Sequence, residues 1–257
     1  MGAGLSANPE LTAKPELTGP GPGRAAGQTR AGLGAAEAAG AELVGLVPTD
    51  WRSYDPLDLH PILTGALAAF HEHGYHGTTV RDIARRAGVT VPALYYHYEN
   101  KQGILVALLE ITIAEVHGRA CAAVAEADDG PVPRLTRLVE AVVLFMSNRF
   151  DLAYLDTELR YLEPPNRRRY AALRKRLESL LLDIVEDGAA SGQMAVASPR
   201  DTARALLGMC QAVAGWYKPS GELTPAQIAA RYVDIALRTV GAADAAGSVG
   251  PAGSVGR

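Results

Sequence analysis

The sequence predicts an all-α protein, on three observations. From about residue 55 to residue 241 the apolar residues recur at three- and four-residue intervals. No run of alternating β-branched residues bounded by turn residues interrupts that pattern. Two helix starts are written out in full, Ser198-Pro-Arg-Asp and Thr224-Pro-Ala-Gln, each with a hydroxyl cap, a proline at the first helical position and an acceptor three residues after the cap.

The elements follow in order. Ile62, Leu63, Ala66, Leu67 and Phe70 form the first stripe, closed by Gly74; Thr79 to Ala87 and Thr90 to about Tyr98 are two short helices; a longer one runs from Lys101 to the break at DDGPVP. Helices over 134–150 and 151–162 come next, the second stopped by Pro164-Pro165. Leu173, Leu177, Leu180, Leu181 and Ile184 stripe another that ends between Gly188 and Gly192, and helices over 199–217 and 225–240 complete a set of about nine. Residues 1–54, rich in Gly, Ala and Pro, read as a disordered arm, and 242–257, with Gly-Ser-Val-Gly twice, as a flexible tail.

Composition narrows the function classes. Of 257 residues, 48% are hydrophobic, enough for a sizeable core, and the formal charge of −3 gives no global attraction to nucleic acid, so any DNA binding must come from local placement. Cys121 and Cys210 stand far apart without metal-ligand spacing, which points to a reducing cytoplasm rather than a disulfide framework. Neither a secretory leader nor a membrane span is expected. No phosphate loop, nucleophile elbow or His-Glu-x-x-His motif appears, so neither an enzyme nor a cofactor is expected. His71 and His73 are two apart rather than the three or four that put two ligands on one helix face, and Gly74 is expected to end the helix before His76, so no metal is expected there.

The informative stretch is TTVRDIARRAGVTVPALYYHYENKQGIL. Thr79 with Asp82 caps a short helix that faces inward through Ile83, Ala84 and Ala87 and outward through Arg81 and Arg85. Gly88 suits a left-handed helix end, Val89 plugs the corner and Thr90 caps the next helix. In that helix Leu94 and Tyr98 point to the core, which turns Val91, Pro92, Ala93, Tyr95 and Tyr96 outward. Two short helices joined this way make a helix-turn-helix.

Over His60 to Leu109 the sequence resembles the TetR family of bacterial repressors, most closely in GYHGTTVRDIARRAGVTVPALYYHYENKQGIL. The resemblance implies a helix-turn-helix domain over 55–101 and a helical ligand-binding and dimerisation domain over 102–241. It places Thr79, Thr90, Tyr96 and Lys101 on DNA phosphates and Val91, Ala93, Tyr95 and His97 at or beside base edges, with Arg81 and Pro92 on the same surface. From Asp58 to Lys101 the four basic residues are matched by four acidic ones, so affinity must rest on neutral donors and on two copies acting together on a palindromic operator. Arg24, Arg30 and Arg52, in the arm and its junction, are further candidates for the minor groove, with plain solubility as their alternative role.

In the second half, ELRYLEPPNRRRYAALRKR and GMCQAVAGWYKPSGELTPAQIAARY resemble the subgroup that answers to acyl-CoA thioesters. A ligand site is expected from Arg149, Tyr154, Arg160 and Tyr161, which lie on otherwise apolar helices, and from Trp216 and Tyr217. Arg167, Arg168 and Arg169 would meet the phosphates of such a ligand. The same cationic run also reads as a solvated outer face, and Trp216 and Tyr217 as packing at a helix end. Dimerisation is expected through 199–217 and 225–240, at Leu206, Leu207, Cys210, Val213, Ile228, Val233 and Ile235. The expectation is thus a homodimeric, ligand-responsive regulator, most simply a repressor. The alternatives are a constitutive DNA-binding or nucleoid-associated protein and an all-α enzyme with an appended DNA module.

Overall fold

Helices account for all the regular structure among the described residues. The structure, a computed structural model, describes residues 50–242, and these hold nine α-helices, one 3-10 helix and no strand. The helices are α1 (Pro61–Gly77), α2 (Val80–Ala87), α3 (Val91–His97), α4 (Lys101–Glu126), α5 (Pro131–Asn148), α6 (Phe150–Tyr154), α7 (Pro164–Ala190), α8 (Pro199–Trp216) and α9 (Pro225–Thr239), with the 3-10 helix Leu155–Tyr161 between α6 and α7. α1 to α3 form a small N-terminal unit, and α4 leads from it into a bundle at whose centre α5 packs against α4, α7, α8 and α9. Val139, Val142, Val143 and Phe145 of α5 are fully buried, as its nearly all-apolar middle requires.

Two boundaries differ from expectation because proline opens a helix. Pro131 and Pro133 sit in the first turn of α5, and Pro164-Pro165 starts α7 instead of merely stopping what precedes it. The first-turn N–H groups have no intrahelical partner, so proline costs nothing there, and its fixed φ is already helical. The expected helix over 151–162 divides into α6 and the 3-10 helix. Gly74 does break the first helix, but as a kink with φ 69° and ψ 169°, beyond which the chain resumes as far as Gly77. An L side chain rarely adopts that φ, so the kink depends on glycine.

The arm ends earlier than expected. Trp51 is buried, and its indole N–H donates to Glu126 at 2.6 Å. Arg52 pairs with Glu126 and Glu140, and Arg119 donates to the carbonyls of Trp51 and Ser53 at 2.8 and 2.7 Å. Residues 50–54 are therefore strapped to the bundle, at the end of α4 that is about 39 Å from Lys101 by helical rise. Arg52 consequently lies far from α3 and is not placed to enter a minor groove. The rest of the expected arm, 1–49, with Arg24 and Arg30, and the tail from 243 onward lie outside the described residues.

A charged cluster is buried beneath the strap. Glu115 is 1% exposed and is bound by Arg119 at 2.8 Å and Arg149 at 3.2 Å, while its Oε2 has no partner among the described residues. Arg149 also donates to the carbonyl of Asp55 at 2.6 Å, and both guanidiniums face the ring of Tyr54, whose hydroxyl pKa is pushed up by burial. No run of charge in the sequence marks this cluster, because its members come from three separate segments.

Candidate nucleic-acid interface and internal cavity

The N-terminal unit is built around a close helix crossing. A side-chain carbon at Gly65 would lie 3.1 Å from the backbone nitrogen of Ala87 and 3.2 Å from the carbonyl oxygen of Ile83, so glycine lets α1 and α2 approach. Ala84, also buried and small, lies at the same crossing. Thr79 and Asp82 form the reciprocal capping box, Gly88 takes the left-handed C-cap at φ 68°, and Thr90 caps α3 by accepting from the N–H of Ala93 at 3.3 Å. The Thr79 hydroxyl also donates to Asp82 Oδ2 at 2.6 Å, and that bond above all, with the Thr79 N–H and Arg85 helping, holds the exposed Asp82 carboxyl below its usual range.

One surface results. Leu94 is fully buried and fixes α3 by its inner face, while Thr79, Arg81, Thr90, Pro92, Ala93, Tyr95, Tyr96 and His97 are exposed. Tyr96 is 86% exposed, an unusual position for a large aromatic on a helix whose opposite face is sealed. Two expected members differ. Val91 is half-buried and packs against the core rather than projecting outward. Lys101 is drawn inward: its ammonium donates to the carbonyls of Tyr75 and Thr78 at 2.6 and 2.7 Å and lies 4.3 Å above the Tyr75 ring, and burial lowers its pKa. It closes the open carbonyls at the end of α1, so anchoring comes before any phosphate contact. His97 lies beside His60, ring centroids 4.9 Å apart and planes tilted by 47°, and His60 caps α1 through Nδ1.

The expected ligand residues do not converge. Arg149 belongs to the cluster under the strap. Tyr154 meets His71 edge-on; Tyr161 stacks on Tyr75 at 5.7 Å and meets His76, and Arg160 lies over Tyr161, so all three belong to the seam between the N-terminal unit and the bundle. Arg167 donates to the carbonyls of Arg160 and Leu162, Arg169 pairs with the buried Glu110, and Arg168 is exposed. Burial raises the pKa of Glu110 against the opposing pull of Arg169. Trp216, 48% exposed, stacks on Tyr232, and Tyr217 packs against the core.

A cavity of about 40 Å³ lies elsewhere, lined by Thr112, Ile113, Val116, Met146, Ala153, Asp156, Tyr170, Arg174 and Gln211. Its polar edge is ordered: Tyr170 donates to Asp156 at 2.6 Å, Arg174 pairs with Asp156 at 3.2 Å, and Arg174 donates to Gln211 at 3.1 Å. None of these residues was singled out as a site from sequence. A signal existed: Tyr170 and Arg174 are one turn apart in the cationic run, on the side that turns inward.

Comparison with known proteins agrees with both halves. Residues 62–108 match the family of bacterial regulatory proteins of the tetR type, and 128–240 match the tetracyclin repressor-like C-terminal domain. An HTH-type transcriptional repressor, KstR2 of Rhodococcus jostii, is 25% identical over 185 residues, 68% of this chain and 87% of the relative. Among solved structures, a bacterial regulatory protein in the tetR family from Rhodococcus RHA1 is 30% identical with a TM-score of 0.63, covering 70% of this chain and 95% of that one. The regulator AibR, solved in complex with isovaleryl coenzyme A and operator DNA, is 26% identical with a TM-score of 0.63, covering 68% of this chain and 95% of that one.

Proposed function

The chain belongs to the TetR family of bacterial transcriptional regulators, and on that premise we propose that it is a repressor that binds a palindromic operator as a homodimer and is released by a small-molecule effector. The observation that carries the DNA-binding half is the outward face of α3, where Tyr95, Tyr96, Ala93 and Pro92 stand in solvent on a helix anchored by Leu94. Hydroxyl and amide donors at Thr90, Tyr96 and the α3 N-terminus fit phosphate oxygens, and Ala93 and Pro92 fit thymine methyl groups.

The homodimer reading is supported by the outer faces of α8 and α9. Leu206, Leu207, Cys210, Val213 and Ile228 are buried within the chain and serve its own core, so the seam expected from them moves. Ala205, Gly208, Ala212 and Gly215 leave an exposed stripe of small residues on α8, flanked by Trp216 and by Ile235 of α9 at 48% and 45% exposure. Two such helix pairs can pack closely as a four-helix bundle.

For the effector, an acyl-CoA ester or similar amphiphilic anion remains the proposal, supported by the likeness to a regulator solved with isovaleryl coenzyme A. The cavity, about 40 Å³, holds roughly the volume of one water molecule. On this reading an effector that lodges there widens the bundle as it enters, which supplies the difference between two states that a switch requires. Fluorescence anisotropy with labelled DNA from upstream of the chain's own gene, titrated with CoA esters, free acids and neutral lipids, tests the whole reading. Saturable binding to one fragment with release by a subset of ligands is expected. Binding without preference among fragments, or indifference to every ligand, overturns it.

A further inference from the structure

The 3-10 helix Leu155–Tyr161 touches the cavity and the N-terminal unit at once. With three residues per turn, Leu155, Glu158 and Tyr161 share one face and Asp156 lies on the next. The first face grips α1 at its kink: Glu158 accepts from the N–H of Tyr75 at 3.4 Å, its carboxylate stands beside Gly74, and Tyr161 stacks on Tyr75. This grip is weakly satisfied. Glu158 is 7% exposed, its one hydrogen bond is long, and its Oε2 has no partner among the described residues, an arrangement that leaves most of the desolvation cost uncompensated. On the other face, Asp156 is held by the Tyr170 hydroxyl and by Arg174, whose second nitrogen is committed to Gln211.

We propose that Asp156, Tyr170 and Arg174 form an anion-exchange latch: a carboxylate on the apolar end of the effector takes Arg174 from Asp156, and the released 3-10 helix loosens its hold on α1 at Gly74. The inference rests on the effector reading above and adds the chemistry of the buried end. One N–H of each terminal nitrogen of Arg174 is in use, so an incoming carboxylate that pairs with those two nitrogens on the cavity side competes there with Asp156 and Gln211. Asp156 is the partner that leaves, because a second carboxylate beside it is repelled while a neutral amide is not. The apolar wall of Ile113, Val116 and Met146 receives the hydrocarbon. The cavity's small volume, about 40 Å³, makes entry and displacement one event. Because Asp156 and Glu158 are two residues apart in one short helix, motion of the first disturbs the second.

Octanoate and octan-1-ol serve as probes on the full chain without DNA. Calorimetry reads affinity, and hydrogen exchange of the segment 71–80 reads the kink, where the Tyr75 amide faces Glu158. Octanoate is expected to bind and to speed exchange there by about tenfold, as loss of a local tether does. Arg174→Gln should weaken octanoate by about tenfold and leave octanol unchanged; Arg174→Lys should recover part of the loss. Asp156→Asn should bind octanoate more tightly and exchange faster at 71–80 before any probe is added. In Glu158→Gln octanoate should bind as in the unaltered chain without a further change in exchange. Near-ultraviolet circular dichroism confirms that each variant is folded. The latch is overturned if octanoate at millimolar concentration does not bind, if it binds Arg174→Gln equally well, or if exchange at 71–80 is unmoved at saturation. None of these readings involves an operator, so they stand or fall separately from repression. Operator release by CoA esters with octanoate silent would overturn the latch alone.

Discussion

The N-terminal unit and the bundle respond differently to the same kind of reading. In the first, eight of the ten residues expected at DNA are exposed on the surface that carries α3. In the second, the nine residues expected at a ligand scatter over a seam, a strap and two helix ends, and none lines the cavity. The difference is one of range. Thr79, Asp82, Gly88 and Thr90 act on backbone groups two to four residues away, so short-range chemistry fixes where α2 and α3 begin and end. An arginine in a bundle is committed by whichever acid the fold brings up, and Glu115 meets Arg149 from 34 residues away, Glu110 meets Arg169 from 59.

The largest test of that contrast is Arg119→Met. Sequence gives Arg119 no special standing, yet it supports Glu115 and ties down the strap. Removing one partner from a buried charge cluster costs about 3–5 kcal/mol. Thermal unfolding should show a loss on that scale, in contrast to Arg168→Met at the exposed end of α7, which should change little. Equal, small effects would mean that the strap is incidental.

Next in size is the dimer. Ala212→Glu places charge on the exposed stripe of α8 and should yield folded monomers by analytical ultracentrifugation at micromolar concentration. Leu207→Glu, one of the expected seam positions, should instead unfold the chain, because Leu207 is 9% exposed within its own core. A folded dimer with Ala212→Glu would move the seam off this face. The apolar spacing of α8 was legible in the sequence; which of its two faces turns inward was not, since both carry residues small or apolar enough.

Smaller again is the effect of Tyr96→Phe, which removes one hydroxyl from an exposed ring. Loss of about 1 kcal/mol of DNA affinity, shared by every operator variant and without a change in melting temperature, is expected from anisotropy titrations. Lys101→Met sharpens the point by failing it: the two carbonyls it serves lie inside the unit, so it should lower stability along with affinity. A Lys101→Met chain with normal stability and a salt dependence reduced by about one ion would restore a pure phosphate role.

The capping box offers the finest test, because its chemistry is the most local. Asp82 has a lowered carboxyl pKa in the folded chain, caused first by the Thr79 hydroxyl, then by the Thr79 N–H and by Arg85. A carboxylate whose folded pKa is depressed contributes stability that is fully present above its unfolded value of about 3.9. That contribution fades as pH falls through the depressed folded value. Asp82→Asn keeps an acceptor for Thr79 but removes the titration, so the chain should lose a small increment of melting temperature at pH 7, and the gap to the unaltered chain should close as pH is lowered below about 3.9. The comparison is made between the two chains at each pH, which cancels the other carboxyl groups. A gap that stays constant with pH would mean that the Asp82 charge adds nothing to the cap. The box would then be held by geometry, and the Thr79 hydroxyl would be free to turn toward a phosphate.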